Sequence, residues 1–168
     1  GILSTAMKRD MLSPQMVQLA VKTMSCLNKV AAEILEKFEI HACTDVTGFG
    51  LLGHLREMTK SSKCDVEINF NNIPLLPEVE SLTGAGIIPG GTFNNLSFVK
   101  KNVDFDTLNE TKKLLLCDSQ TSGGLLIALP KNLAMKLVNN LKSAGINDAS
   151  IIGDGKKVGN GSIKINTL

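Results

Sequence analysis

Asp45 stands where the apolar run Ile40 to Thr44 gives way to Val46-Thr47-Gly48-Phe49-Gly50. A carboxylate at a strand end, followed by a glycine-rich turn into a helix, can hold a metal ion or a phosphate. Its oxygens are hard ligands that suit Mg²⁺. The helix start adds free backbone N–H groups and the positive end of the dipole. The same residues also fit a plain helix N-cap, with Asp45 or Thr47 accepting from the first free amides. A second stretch, Asp118-Ser119-Gln120-Thr121-Ser122-Gly123-Gly124, repeats that chemistry, and a Leu-Leu pair follows each. Small residues let amides point at an anion and hydroxyls add donors, although an Asx or Ser/Thr turn has the same composition. The likeness of the two stretches hints at an internal repeat. Pro89-Gly90-Gly91-Thr92 is a third loop able to approach a phosphate, while Pro-Gly is a turn signal in itself. No P-loop pattern occurs, and no G-x-G-x-x-G follows a strand.

His41 and His54 are the only histidines. His54 falls in the helix expected after the turn, where a lone His reads as surface or structural before catalytic. No Ser–His–Asp or Cys–His set assembles from the spacing. Cysteines occur at 26, 43, 64 and 117 with no C-x-x-C pair, so no zinc site is expected. They read as reduced, buried small hydrophobes in a cytoplasmic protein.

The elements that must position these residues follow from periodicity. Ser13-Pro14 is a helix start, with Ser at the N-cap and Pro at the first helical position. Apolar residues from Val17 to Phe38 recur at helical steps, which predicts one helix over about 14–38 whose apolar stripe is core. Residues 2–12 read as extended or irregular. Ile40 to Thr44 is a strand ending at Asp45, and Leu51 to Lys60 a helix. Cys64, Val66, Ile68 and Phe70 alternate with polar residues as a half-buried strand. A short helix is expected at 78–83. A glycine- and asparagine-rich loop is expected at 87–95, and long loops with one polar helical turn near 107–114. Leu125 to Leu129 reads as a buried strand. Lys131 to Ser143 reads as a helix with Leu133, Met135, Leu137, Val138 and Leu141 inward. Ser150 to Gly153 and Ser162 to Asn166 read as closing strands around the turn Asp154-Gly155-Lys156-Lys157. The sum is one α+β domain, a mixed sheet of four or five strands packed with three or four helices.

The 168 residues suffice for one domain with a real core. Hydrophobic residues make up 43% and charged residues 20%, with a net charge of +2 and both signs mixed along the chain. That argues against a dedicated nucleic-acid surface, whose signature is clustered Lys and Arg. The chain has no Trp or Tyr, so no base-stacking platform is expected. No apolar run approaches the roughly 20 residues of a membrane span. Gly1-Ile2-Leu3-Ser4 has no charged leader ahead of an apolar core, so no signal peptide is expected. A start on Gly, with the first Met at residue 7, suggests a piece of a longer chain.

Thr44-Asp45-Val46-Thr47-Gly48-Phe49-Gly50-Leu51-Leu52-Gly53-His54 resembles the selenophosphate synthetase (selenide, water dikinase) family. Cys117-Asp118-Ser119-Gln120-Thr121-Ser122-Gly123-Gly124-Leu125-Leu126 resembles a second motif of that family, with Ser119 where Pro is expected. Ile73-Pro74-Leu75-Leu76-Pro77 and Pro89-Gly90-Gly91-Thr92 fit in the same order. The resemblance covers the C-terminal half of the family's chain. It implies an enzyme that makes selenophosphate, AMP and phosphate from ATP, selenide and water, working as a homodimer; the composition adds the expectation of a cytoplasmic protein with no nucleic-acid or membrane partner. The reactive Cys or selenocysteine, an essential Lys and several Mg²⁺-binding Asp residues would lie in the protein's own N-terminal half. Asp45 would be the Mg²⁺ ligand given by this half across a cleft at the ATP phosphates, with Thr47 and Gly48 shaping the loop. None of the residues here is implied to be catalytic, and the piece alone would be inactive. The implied fold is that of the C-terminal domain of the aminoimidazole ribonucleotide synthetase superfamily, partly ferredoxin-like. Alternatives are another ATP-using enzyme of that superfamily, of the purine-pathway synthetase or thiamine phosphate kinase type, or a non-catalytic binding or assembly module.

Overall fold

The computed structural model describes residues 1–156 and 158–167. Among the described residues, two sheets and eight α-helices make an α+β fold. The four-stranded sheet has the order β3 (Val103–Asp104), β6 (Ile163–Asn166), β2 (Val66–Asn69), β5 (Gly153–Gly155). β6 runs parallel to both β2 and β3, while β5 is antiparallel to β2. Register sets Ile68 beside Ile165 and Val66 beside Ile163. The period-2 alternation turns Ile68, Ile163 and Ile165 into the main core and leaves Lys164 exposed on the other face. The closing strands therefore do not pair with each other as expected. Both pair with β2, Asp154 and Gly155 are strand rather than turn, and Lys157 lies outside the described residues.

The second sheet is the antiparallel pair β1 (Ala42–Asp45) and β4 (Leu125–Ala128), with Asp45 opposite Leu125. Leu126 packs into the main core. Leu125 and Ile127 pack with Ala31, Leu35, Leu137 and Leu141 in a smaller one. That smaller core joins α3 (Lys29–Leu35) and α8 (Lys131–Ser143). Helix α8 has the expected bounds, but Met135 is 60% exposed rather than inward.

The helix expected over 14–38 is two helices, α2 (Pro14–Ser25) and α3. Ser13 caps α2 as expected, its Oγ accepting from Met16 N at 3.2 Å. At the far end, Thr23 and Ser25 hydroxyls donate to the carbonyls of Leu19 and Lys22, and Cys26 turns extended. Such back-bonding weakens a helix. Val21, Leu27 and Val30 are exposed, so the apolar stripe is core only in part.

Residues 2–7, expected to be irregular, form α1 (Ile2–Met7), which buries Ile2, Leu3 and Ala6. The region expected as long loops contains α6 (Gly90–Val99) and β3, while α7 (Glu110–Leu116) falls where one helical turn near 107–114 was expected. The face that α6 buries is Thr92, Asn95 and Val99, while Phe93 and Phe98 are exposed. Its polar side faces in, which hydrophobic periodicity cannot detect. α4 (Gly50–Ser62) and α5 (Val79–Gly84) complete the set. Of the cysteines only Cys117 is buried; Cys26 and Cys43 are exposed, and all four are free thiols.

Candidate functional site

The three small-residue loops that stood out in the sequence converge. β1 ends at Asp45, and β4 begins just after Gly123-Gly124. The pairing continues past the strands: Val46 N donates to Gly124 O (3.0 Å), Gly123 N to Val46 O (2.9 Å), and Gln120 N to Thr47 O (3.2 Å). From α6, Asn95 Nδ2 donates to Gly48 O (2.8 Å) and to Cys117 O (3.1 Å). One buried amide thus ties the first loop to the second. Thr92 Oγ1 accepts from Ser119 N at 3.2 Å, which seats the 89–92 segment on the same cluster. Asn28, in the break between α2 and α3, donates to Gly123 O at 3.0 Å.

Gly50 shows why the first loop needs glycine. Its φ is +71°, and a Cβ there would stand 2.8 Å from the carbonyl carbon of Cys117 and the carbonyl oxygen of Asp118. A left-handed backbone and a close approach coincide at one residue.

The two carboxylates have different fates. Asp118 is mostly buried and accepts from the backbone nitrogens of Gly1 (3.0 Å) and Ile2 (3.1 Å), at the start of α1. It is occupied in holding that helix in place. Asp45 is exposed. Among the described residues its carboxylate has no hydrogen-bond donor and no cation. It does not cap α4 and neither does Thr47, since the N-cap position is Phe49 and no side chain bonds the first amides. The capping alternative is therefore excluded, and Asp45 is left free to take a ligand. The internal repeat also fails. Asp45 ends a strand and a helix follows, whereas Asp118 follows a helix and a strand comes next.

Thr47 is fixed from the helix that follows it. His54, 7% exposed, turns Nε2 toward the loop, where Thr47 N donates to it at 3.1 Å. The Phe49 ring lies edge-on to the imidazole at 5.7 Å. His54 is thus a buried structural residue, and Thr47 and Gly48 are each held by a side chain from a different helix. His41 is exposed, 4.0 Å from Glu39.

Two thiols near the cluster are held toward their protonated form. Burial, and then the charge of Glu110, push the Cys117 thiol up to about 12. Partial burial and the neighbouring Asp45 charge raise Cys43.

Among the described residues no group of three or more His, Cys, Asp or Glu side chains could hold a metal ion. One free, exposed carboxylate still fits Mg²⁺. This ion keeps several waters and commonly takes one or two protein carboxylates together with substrate phosphates. The donor set suits a shared site, not a self-contained one.

Asn95 escaped the sequence reading because it lies in a stretch with no apolar period, and Thr92 reads only as part of a Pro-Gly loop. Their own spacing with Val99, three and then four residues, is the helical signal that was there to find.

Residues 2–166 match the family described as AIR synthase related protein, C-terminal domain. The chain is 40% identical to a selenide, water dikinase of Aliarcobacter butzleri (strain RM4018), over 92% of this chain and 45% of the relative. It is 43% identical to one of Myxococcus xanthus (strain DK1622), over 92% and 44%. It is 40% identical to one of Clostridioides difficile (strain 630), over 91% and 44%. The chain therefore spans less than half the length of these relatives.

Proposed function

Because the chain belongs to the AIR synthase related protein C-terminal domain family, we propose that it is the C-terminal domain of a selenophosphate synthetase. The full-length enzyme would make selenophosphate, AMP and phosphate from ATP, selenide and water. The observation that carries this reading is the free, exposed carboxylate of Asp45 at the rim of three interlocked loops, in a chain that covers less than half of the dikinases it resembles. One wall of a cleft is built, and the remaining ligands fall to the protein's own N-terminal half.

Phosphoryl transfer asks the protein mainly for positioning and charge neutralisation. Asp45 would hold Mg²⁺, and that ion, when bound, would neutralise charge on the ATP phosphates. Thr47 and Gly48 keep the carboxylate's loop in one shape. Their own carbonyls are already engaged, by Gln120 N and by Asn95 Nδ2. The loop is therefore set before any ligand arrives, and preorganised charge is what such a site requires.

Four free thiols support a reducing, cytoplasmic setting. Among the described residues no helix is long and apolar enough to cross a membrane. The family likeness supports a homodimer of the full-length protein.

The test is the full reading frame with Asp45→Asn. Selenide-dependent AMP formation is expected to fall by about 100-fold or more, with the circular dichroism spectrum unchanged. An unchanged rate removes Asp45 from the site. The isolated chain is expected to bind Mg²⁺ and ATP weakly or not at all. Tight binding by it would favour a stand-alone binding module instead.

A further inference from the structure

We propose that His54 is a positioning residue for the Asp45 loop, acting as a neutral imidazole that carries its proton on Nδ1. The assignment follows from the partner. Thr47 N–H can only donate, and it points at His54 Nε2 from 3.1 Å, so Nε2 must present a lone pair. The single ring proton of the neutral form then sits on Nδ1. Thr47 Oγ1, 3.2 Å from the same nitrogen, fits that arrangement as a second donor.

Nδ1 is buried and has no hydrogen bond, and it is the only such side-chain polar atom found among the described residues. A buried polar atom without a partner is costly and calls for an explanation. Glu57, one turn along α4, supplies it. Its Oε2 lies 3.5 Å from Nδ1, too poorly aligned for a hydrogen bond but close enough to hold the Nδ1–H tautomer. Glu57 is mostly exposed, so packing does not hold its carboxylate away from Nδ1. The order Glu57, His54, Thr47 is that of a residue that orients an imidazole and an imidazole that orients a backbone.

Thr47 lies two residues after Asp45. The peptide between them is pinned on its other side by the bonds of Val46 to Gly123 and Gly124. Without an acceptor at Nε2, the Thr47 amide would be left unpaired and this part of the loop would be freed. Asp45 would then present its carboxylate from a moving backbone. The inference rests on the reading of Asp45 as a Mg²⁺ ligand, and its first readout does not.

The experiment compares His54→Phe and His54→Gln in the full-length protein. Phe keeps the packing against Phe49 and removes the acceptor. Gln offers Oε1 near the position of Nε2. Hydrogen exchange resolved at the Thr47 amide is expected to accelerate by about 5- to 100-fold in His54→Phe, the loss of one buried hydrogen bond, and to recover to within about 3-fold in His54→Gln. The Mg²⁺ concentration giving half-maximal AMP formation is expected to rise by about 10-fold in the Phe variant and to recover with Gln. In the wild-type protein, ¹⁵N spectra are expected to show the His54 proton on Nδ1. Thr47 exchange unchanged in His54→Phe, or a proton found on Nε2, overturns the proposal. So does accelerated exchange without a change in Mg²⁺ requirement, provided Asp45→Asn alters that requirement. If Asp45→Asn leaves it unaltered while Thr47 exchange accelerates as expected, the Mg²⁺ reading fails and the positioning of the loop by His54 stands.

Discussion

Asn95 is where the loop cluster is most exposed to a single substitution. It sits on the buried face of α6 and donates two hydrogen bonds through one nitrogen, to Gly48 O and Cys117 O. A neutral hydrogen bond contributes about 1 kcal/mol net, and a carbonyl left buried without a donor costs about 1–3 kcal/mol. Asn95→Ala is therefore expected to destabilise the chain by about 2–4 kcal/mol. In a domain of this size each kcal/mol lowers Tm by about 2–4 °C, so the melt should move by roughly 4–16 °C. Asn95→Asp is expected to be worse, since it turns a carboxylate oxygen toward two carbonyl oxygens in a buried place. Phe93→Ala on the outer face of the same helix is the control. That side chain is 53% exposed, and its loss should cost under about 0.5 kcal/mol. Urea unfolding at fixed temperature gives the three values, with equal slopes in denaturant showing that the denatured state is unchanged. If Asn95→Ala costs less than Phe93→Ala, the polar face of α6 is not what holds the loops together and the site description is wrong.

Two further outcomes follow from the same geometry. Gly50→Ala is expected to cost about 2–5 kcal/mol, from the left-handed backbone and the contact with the Cys117 and Asp118 carbonyls combined. Gly90→Ala, where an added Cβ meets nothing within 4 Å, should be neutral or slightly stabilising, and paired thermal melts decide. The Cys117 thiol holds its proton to about pH 12 when folded, against 9.0 as its ordinary value. Above pH 9 the unfolded chain ionises first, so the stability drawn from this group is fully present below pH 9 and falls as pH rises toward 12. Wild type should lose about 1.4 kcal/mol per pH unit across that window relative to Cys117→Ala. Parallel stability curves for the two proteins between pH 8 and 10.5 would rule this out.

Some of this architecture was legible in the sequence because it is written in apolar spacing. α4, α8 and β2 turn hydrophobic residues toward a core at the period of their own geometry, β4 follows its apolar run, and these elements and β1 lie close to where they were expected. What was not legible depends on partners far away along the chain. α1 is six residues long, too short to stand on propensity, and its first amides are held by Asp118, 116 residues from Ile2. The break at Cys26 is backed by Asn28 bonding to Gly123, 95 residues away. No local pattern records either contact.

The candidate site divides the same way. From residue types, Asp45, Thr47 and Gly48 were recognisable as either a helix cap or a loop for a metal ion or phosphate, and the family resemblance favoured the loop. Their coupling to the other two loops was not, since each loop by itself reads as an ordinary turn. Buried polar groups persist only when paired. The small polar residues at 44–48, 90–95 and 118–124 are partners in one hydrogen-bonded network that runs through Asn95 and Thr92. That network explains why α6 turns Thr92 and Asn95 inward and leaves Phe93 and Phe98 outside. Had the three loops been independent turns, nothing would have favoured a buried amide between them, and an apolar residue at 95 would have served the core better.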